Sequence, residues 1–91
     1  MMSEDTYLEV SFRQGQPFAA YLYLPRRRGE KSHRTRRVEP GLIVDFSRSG
    51  LPIGIEITAP SLATATVLNR LLRELGQPPI RRSDLAPLRA A

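Results

Sequence analysis

"LIVDFSRSGLPIGIEI", residues 42–57, holds two β-branched apolar runs separated by a short polar stretch that ends in glycine. The pattern predicts two strands joined as a hairpin, with "SRSG" as the loop. Alternation puts Leu42, Val44 and Phe46 on one face of the first strand, and Ile53, Ile55 and Ile57 on one face of the second. Pairing Val44 with Ile53 and Leu42 with Ile55 sets these side chains beside one another. A one-residue slip would set apolar against polar, so this register is expected. Asp45 then opposes Pro52, and Glu56 lies further along that strand, ~13 Å away at ~3.3 Å per residue. Carboxylate pairs of glycoside hydrolases sit ~5–9.5 Å apart. Asp45 and Glu56 are therefore expected to have structural roles. Asp45 would accept hydrogen bonds from the turn around Ser47, Ser49 and Gly50, and Glu56 would pair with Arg36 or Arg37.

Upstream, "TYLEVSF" alternates, with Leu8, Val10 and Phe12 against Tyr7, Glu9 and Ser11. "FAAYLYL" is a second strand, with Ala20, Leu22 and Leu24 opposite Tyr21 and Tyr23. "RQGQP" between them is turn chemistry. A third, polar strand over "TRRVE" is closed by Pro40-Gly41. Gly29 marks the tip of a hairpin linking the second and third strands. Downstream, Ser61 is the expected N-cap of an amphipathic helix. Leu68, Leu71, Leu72 and Leu75 form one stripe of it, Gly76 ends it, and Pro78-Pro79 prevents continuation. The tail "RRSDLAPLRAA" either forms a short second helix capped by Ser83 or frays. The predicted fold is α+β: an antiparallel β-meander of about five short strands, then a helix packed on one sheet face. Residues 1–76 form the domain, and 77–91 form a Pro-broken tail.

The chain has 91 residues, 41% hydrophobic and 25% charged, which fits one small globular domain. It has no cysteine, which removes disulfides and thiolate metal sites. No run approaches the ~20 apolar residues of a membrane span. "MMSEDTYLEV" lacks the layout of a signal peptide, so a cytoplasmic location is expected, with no membrane partner. A small domain without staples often gains stability by oligomerising. Segment 25–37 carries Arg26, Arg27, Arg28, Lys31, Arg34, Arg36 and Arg37 against Glu30 alone, and so holds all of the net charge of +5.

That basic segment is one candidate site, for nucleic acid or another anionic partner. Its bland reading is a solvated loop, and no aromatic interleaves it to stack on bases. The other candidate is the sheet face opposite the helix. It carries Tyr7, Tyr21, Tyr23, Ile43 and the bare backbone of Gly54, the kind of patch that often marks an association surface. His33 is the single histidine and builds no metal or general-base site alone. Ser47 and Ser49 have no histidine nearby in the chain for a triad, and no glycine-rich phosphate loop is present. No enzyme signature and no cofactor are expected.

"EPGLIVDFSRSGLPIGIEITAPS", residues 39–61, resembles the signature half of a family of small bacterial β-rich proteins catalogued as a domain of unknown function. The family pattern is a tyrosine-bearing strand pair followed by a "pGvivDyd…G…vGIEIl" hairpin. Pro40, Gly41, Ile43, Val44, Asp45, Phe46, Gly50, Gly54, Ile55, Glu56, Ile57, Ala59 and Ser61 match it, as do Ala19, Tyr21, Leu22 and Leu24 of the earlier strand. The resemblance spans roughly residues 7–61. Arg13 and Phe18 stand near places where the family usually has acids, and the arginine-rich loop is longer than the family's. Some members lie beside toxin-like genes, so the resemblance implies an antitoxin-like role for part of the family. The chain is thus expected to be a non-enzymatic protein-interaction module. A homodimer through the tyrosine face and a small toxin as partner are the expectations. The alternative is a nucleic-acid-binding protein that uses loop 25–37.

Overall fold

The computed structural model describes residues 6–26 and 29–89. Strands β1 (Tyr7–Arg13), β2 (Gln16–Tyr23), β3 (Arg34–Glu39), β4 (Leu42–Phe46) and β5 (Pro52–Ile57) form one antiparallel sheet. Alternating apolar residues make each a strand with one face to bury. Helix α1 (Ala65–Glu74) follows a 3-10 turn over Pro60–Leu62, and a second 3-10 segment runs over Arg82–Arg89.

The sheet order is β1-β2-β5-β4-β3, which corrects the expected meander. β5, with Ile53, Ile55 and Ile57 fully buried, enters between β2 and β4. The most apolar strand takes the centre, where both edges are paired. The arginine-rich β3 takes an outer edge, where charge discourages further pairing. β2 and β3 are therefore not neighbours, and the segment between them is not the expected hairpin. It carries the chain past β5 and β4, across three strand spacings of ~4.8 Å each. Leu24 N–H donates to Ile53 O at 3.1 Å and His33 N–H to Phe46 O at 2.8 Å, which ties this connection to the sheet at both ends.

The β4–β5 register is also corrected. Leu42 pairs with Ile57, Val44 with Ile55, and Asp45 with Gly54, two residues away from the expected alignment. A two-residue shift leaves every side chain on its own face, so alternation alone does not distinguish the two registers. The turn does. It spans residues 47–51, with Ser47 N–H donating to Leu51 O (2.8 Å) and Gly50 N–H to Ser47 O (2.9 Å). The Ser47 hydroxyl accepts from Leu51 N–H (3.2 Å) and bonds to Ser49 Oγ (2.9 Å). Ser47, not Asp45, organises the turn.

On the core face, Leu8, Leu22, Ile55 and Val44 form one cross-strand row, and Val10, Ala20, Ile57 and Leu42 the next. These join Leu68, Leu71 and Leu72 of α1 and Ile80, Leu85 and Leu88 of the tail in one hydrophobic cluster. Of the segments after β5, the two 3-10 pieces approach the sheet most closely, both against β2 and the second also against β1. Residues 77–89 thus contribute to the core. Asn69 fixes their entry: its side chain donates to Ile80 O (3.0 Å) and accepts from Ile80 N–H (2.8 Å). Arg89 then reaches Pro60 O and Ala63 O at 3.0 and 2.7 Å.

The helix N-cap is Thr64, whose hydroxyl accepts from Val67 N–H, and not Ser61, which is taken up in the preceding 3-10 turn. The C-terminus ends at Gly76 as expected. Gln77 N–H returns to Leu72 O and Gly76 N–H to Arg73 O, a Schellman closure whose αL residue (φ +72°) suits glycine. Phe12 departs from the expected core: it is 50% exposed. β5 pairs with β2 only over Ala20–Tyr23, so the β1–β2 hairpin tip projects beyond the covered sheet.

Candidate functional site

The face of the sheet away from the core is read in two rows. Tyr7, Tyr23, Gly54, Asp45 and Thr35 lie across from one another, strand by strand, and so do Glu9, Tyr21, Glu56, Ile43 and Arg37. The register places Tyr7, Tyr21, Tyr23 and Ile43 on one face, as the sequence predicts, but Glu56 of β5 stands between Tyr21 and Ile43. The physical reason is the period of two: all four occupy outward positions of strands whose inward positions are apolar.

Three tyrosines make one block. Tyr7 and Tyr23 stack with ring centroids 4.4 Å apart, and Tyr21 meets Tyr23 edge-on at 4.6 Å. Such pairs contribute ~0.5–1.5 kcal/mol beyond area burial. The Tyr21 ring lies over Gly54, in the space where a side chain on that residue would begin. From there its hydroxyl donates to Asp45 Oδ2 at 2.6 Å. Burial first, then the Asp45 hydrogen bond and charge, hold the Tyr21 hydroxyl above the ordinary tyrosine value, with Arg26 acting in the opposite sense. The Tyr23 hydroxyl donates to Glu9 at 3.2 Å and is pushed in the same direction, by desolvation and then by Glu9. Arg26 closes one end: its guanidinium donates to Ile53 O at 2.6 Å and lies 5.6 Å from the Tyr23 ring. Tyr7, Tyr23, Leu24 and Arg26 line an open depression of about 410 Å³, and Tyr7 is 54% exposed.

The structure changes the reading of the two carboxylates. With Asp45 opposite Gly54, Glu56 is a diagonal neighbour, ~7–8 Å away between backbones, not ~13 Å. Distance therefore does not separate them. Their environments do: Asp45 is 7% exposed and engaged by Tyr21, whereas Glu56 is exposed. Asp45 does not serve the turn. Nor is Glu56 joined to Arg36 or Arg37: β4 lies between β5 and β3, Arg36 faces the other side, and the salt bridges among the described residues are Arg70–Glu39 and Arg81–Asp84.

The basic segment is dispersed. Arg26 belongs to the tyrosine block and Arg37 to the open face. Arg34 and Arg36 lie on the core side, 5.6 and 5.4 Å from the Phe46 ring. Lys31, His33 and Arg48, with the acid Glu30 and with Gly29 and Ser47, line an open depression of about 450 Å³ beside the β4–β5 turn. Arg27 and Arg28 lie outside the described residues. Pro40 and Gly41 form the β3–β4 turn, and Gly50 lies in the β4–β5 turn. Among the described residues no group of three or more His, Asp or Glu side chains is placed to hold a metal ion, and no helix is long and apolar enough to cross a membrane.

The sequence pattern marks the tyrosines but not what holds them: the Tyr21–Asp45 bond, the Arg26–Ile53 anchor and the Ser47-centred turn. The one signal available was Gly54. A glycine between isoleucines in a strand marks a close approach by another group. No protein-family model, curated protein or solved structure matches the chain.

Proposed function

We propose that the protein is a non-catalytic interaction module whose tyrosine-bearing sheet face docks a small partner protein. The observation that carries this reading is the Tyr7–Tyr23–Tyr21 block, in which Tyr21 bonds to Asp45, Tyr23 bonds to Glu9 and meets Arg26, and Tyr7 stays 54% exposed. Aromatic and arginine side chains dominate the energetic centres of protein interfaces. A tyrosine fixed in advance loses little conformational freedom on binding. Glu9 on the β1 edge, Glu56 on the central strand and Arg37 on the β3 edge give the face polar groups of both signs. The resemblance of residues 7–61 to the family of small bacterial proteins makes a toxin-like protein the partner class. Co-expression with the product of the adjacent gene tests the reading. A complex that survives a sizing column, and is lost with Tyr7→Ala, supports it; separate elution overturns it.

A second reading is binding of nucleic acid by the basic segment, which the depression carrying Lys31, His33 and Arg48 favours. It requires retention of mixed-sequence RNA or DNA at low salt, with affinity falling steeply as salt rises. Among the described residues Arg34 and Arg36 lie on one face and Arg37 on the other, with no single track of cations along a backbone, so the protein-binding reading is preferred.

A further inference from the structure

The two edges of the sheet are built differently. β3 presents Arg34, Arg36 and Arg37, and a second copy laid antiparallel against it would bring arginine close to arginine. Among the described residues β1 pairs only with β2, which leaves its outer edge without a strand partner there. Its seven residues, YLEVSFR, carry one acid and one base, set on either side of the centre.

We infer that a second copy of this chain adds to the β1 edge, antiparallel and centred on Val10, so that two five-stranded sheets join as one continuous sheet. The pairing follows from the sequence of β1 alone. With Val10 opposite the partner's Val10, Leu8 faces the partner's Phe12 and Tyr7 faces the partner's Arg13. Glu9 then lies opposite the partner's Ser11 and diagonal to the partner's Arg13, within reach of both long side chains. Most terms have the favourable sign: apolar on apolar along the core side, cation on aromatic and cation near acid along the open side, against one opposing term, the diagonal approach of Glu9 to the partner's Glu9. The twofold repeats each contact, as a closed dimer requires.

Two further observations fit. Phe12 is 50% exposed, although it lies on the same side as Leu8 and Val10; opposite the partner's Leu8 it gains the apolar neighbour that its own sheet does not supply. The irregularity in the β1–β2 hairpin falls on β2, where Phe18 is left out of the pairing, so the alternation of β1 continues unbroken through Arg13. Arg13 lies 4.1 Å over the ring of Phe18 on β2, so its guanidinium rests on its own hairpin and must turn outward to meet the partner's Tyr7. The inference holds whichever partner the tyrosine face binds, although Tyr7 and Glu9 belong to both surfaces. It places the Tyr7 residues of both copies on one continuous surface.

Light scattering on a sizing column across the micromolar range tests it with three proteins. The natural chain should elute at about twice the chain mass of 10.2 kDa. Arg13→Glu should weaken the dimer about tenfold or more, and Arg13→Glu combined with Glu9→Arg should restore it. A monomer at every concentration, a dimer indifferent to Arg13→Glu, or a loss that the double exchange does not reverse overturns the inference. Amide hydrogen exchange on the unaltered chain gives a check that needs no variant. Protection of β1 amides that rises with protein concentration supports the pairing, and concentration-independent exchange contradicts it.

Discussion

The ring and hydroxyl of Tyr21 occupy the space in which any side chain at Gly54 would begin. That contact joins β2 to β5 on the open face and aims the hydroxyl at Asp45 on β4. Gly54→Ala should therefore destabilise the protein by ~1–3 kcal/mol, because Tyr21 must leave its place or the strands must part. Tyr21→Ala removes the obstacle, so the double variant should be less destabilised than the sum of the two single changes, by ~0.5–3 kcal/mol. Urea denaturation of the four proteins measures the coupling; strict additivity would show that the contact is not formed.

The Tyr21 and Tyr23 hydroxyls are both held protonated to higher pH in the folded protein than in the unfolded chain. The sign follows from linkage. Below the ordinary tyrosine value of ~10 both states carry the proton, and the stabilisation is fully present. As pH rises beyond it, the unfolded chain releases protons first, so stability falls. Denaturation midpoints should be lower at about pH 11 than at about pH 8, and Tyr21→Phe should reduce the difference. An unchanged difference in Tyr21→Phe would remove Tyr21 as its source.

Asn69 satisfies both backbone groups of the buried Ile80. Asn69→Ala leaves them without those partners and should cost ~1–3 kcal/mol. The loss should be local first, because residues 77–89 depend on this anchor for their approach to the core. Limited proteolysis should cut the variant within that segment well before the sheet; uniform resistance would show that Leu85 and Leu88 hold the tail unaided.

Much of the fold was legible because one face of each strand is apolar. Alternation assigns Leu22, Val44 and Ile55 to the core and Tyr21, Tyr23 and Ile43 to the open face. The leucine stripe and Gly76 place the helix and its end. The register of β4 on β5 was not legible, because a two-residue shift keeps Val44 and Asp45 on their own faces; only the Ser47 turn, a contact among neighbours, selects it. Strand order was hidden for a related reason. The pattern of β5 says that it is buried, not that it enters between β2 and β4. The site was half legible. The tyrosines announce themselves, but the bond from Tyr21 to Asp45 and the anchor of Arg26 on Ile53 are chosen by that strand order, over sequence separations of 24 and 27 that no local pattern spans.

The central claim is that the tyrosine face binds a partner protein, and one experiment bears on it most directly. The chain and the product of the adjacent gene are co-expressed and passed through a sizing column, with the natural sequence, with Tyr7→Ala and with Arg48→Ala. Tyr7 is exposed on the open face, and Arg48 is exposed in the β4–β5 turn beside the basic depression, outside the tyrosine block. A complex that forms with the natural sequence, persists with Arg48→Ala and is lost with Tyr7→Ala is the predicted result. Separate elution of the two natural proteins, or a complex indifferent to Tyr7, would contradict it.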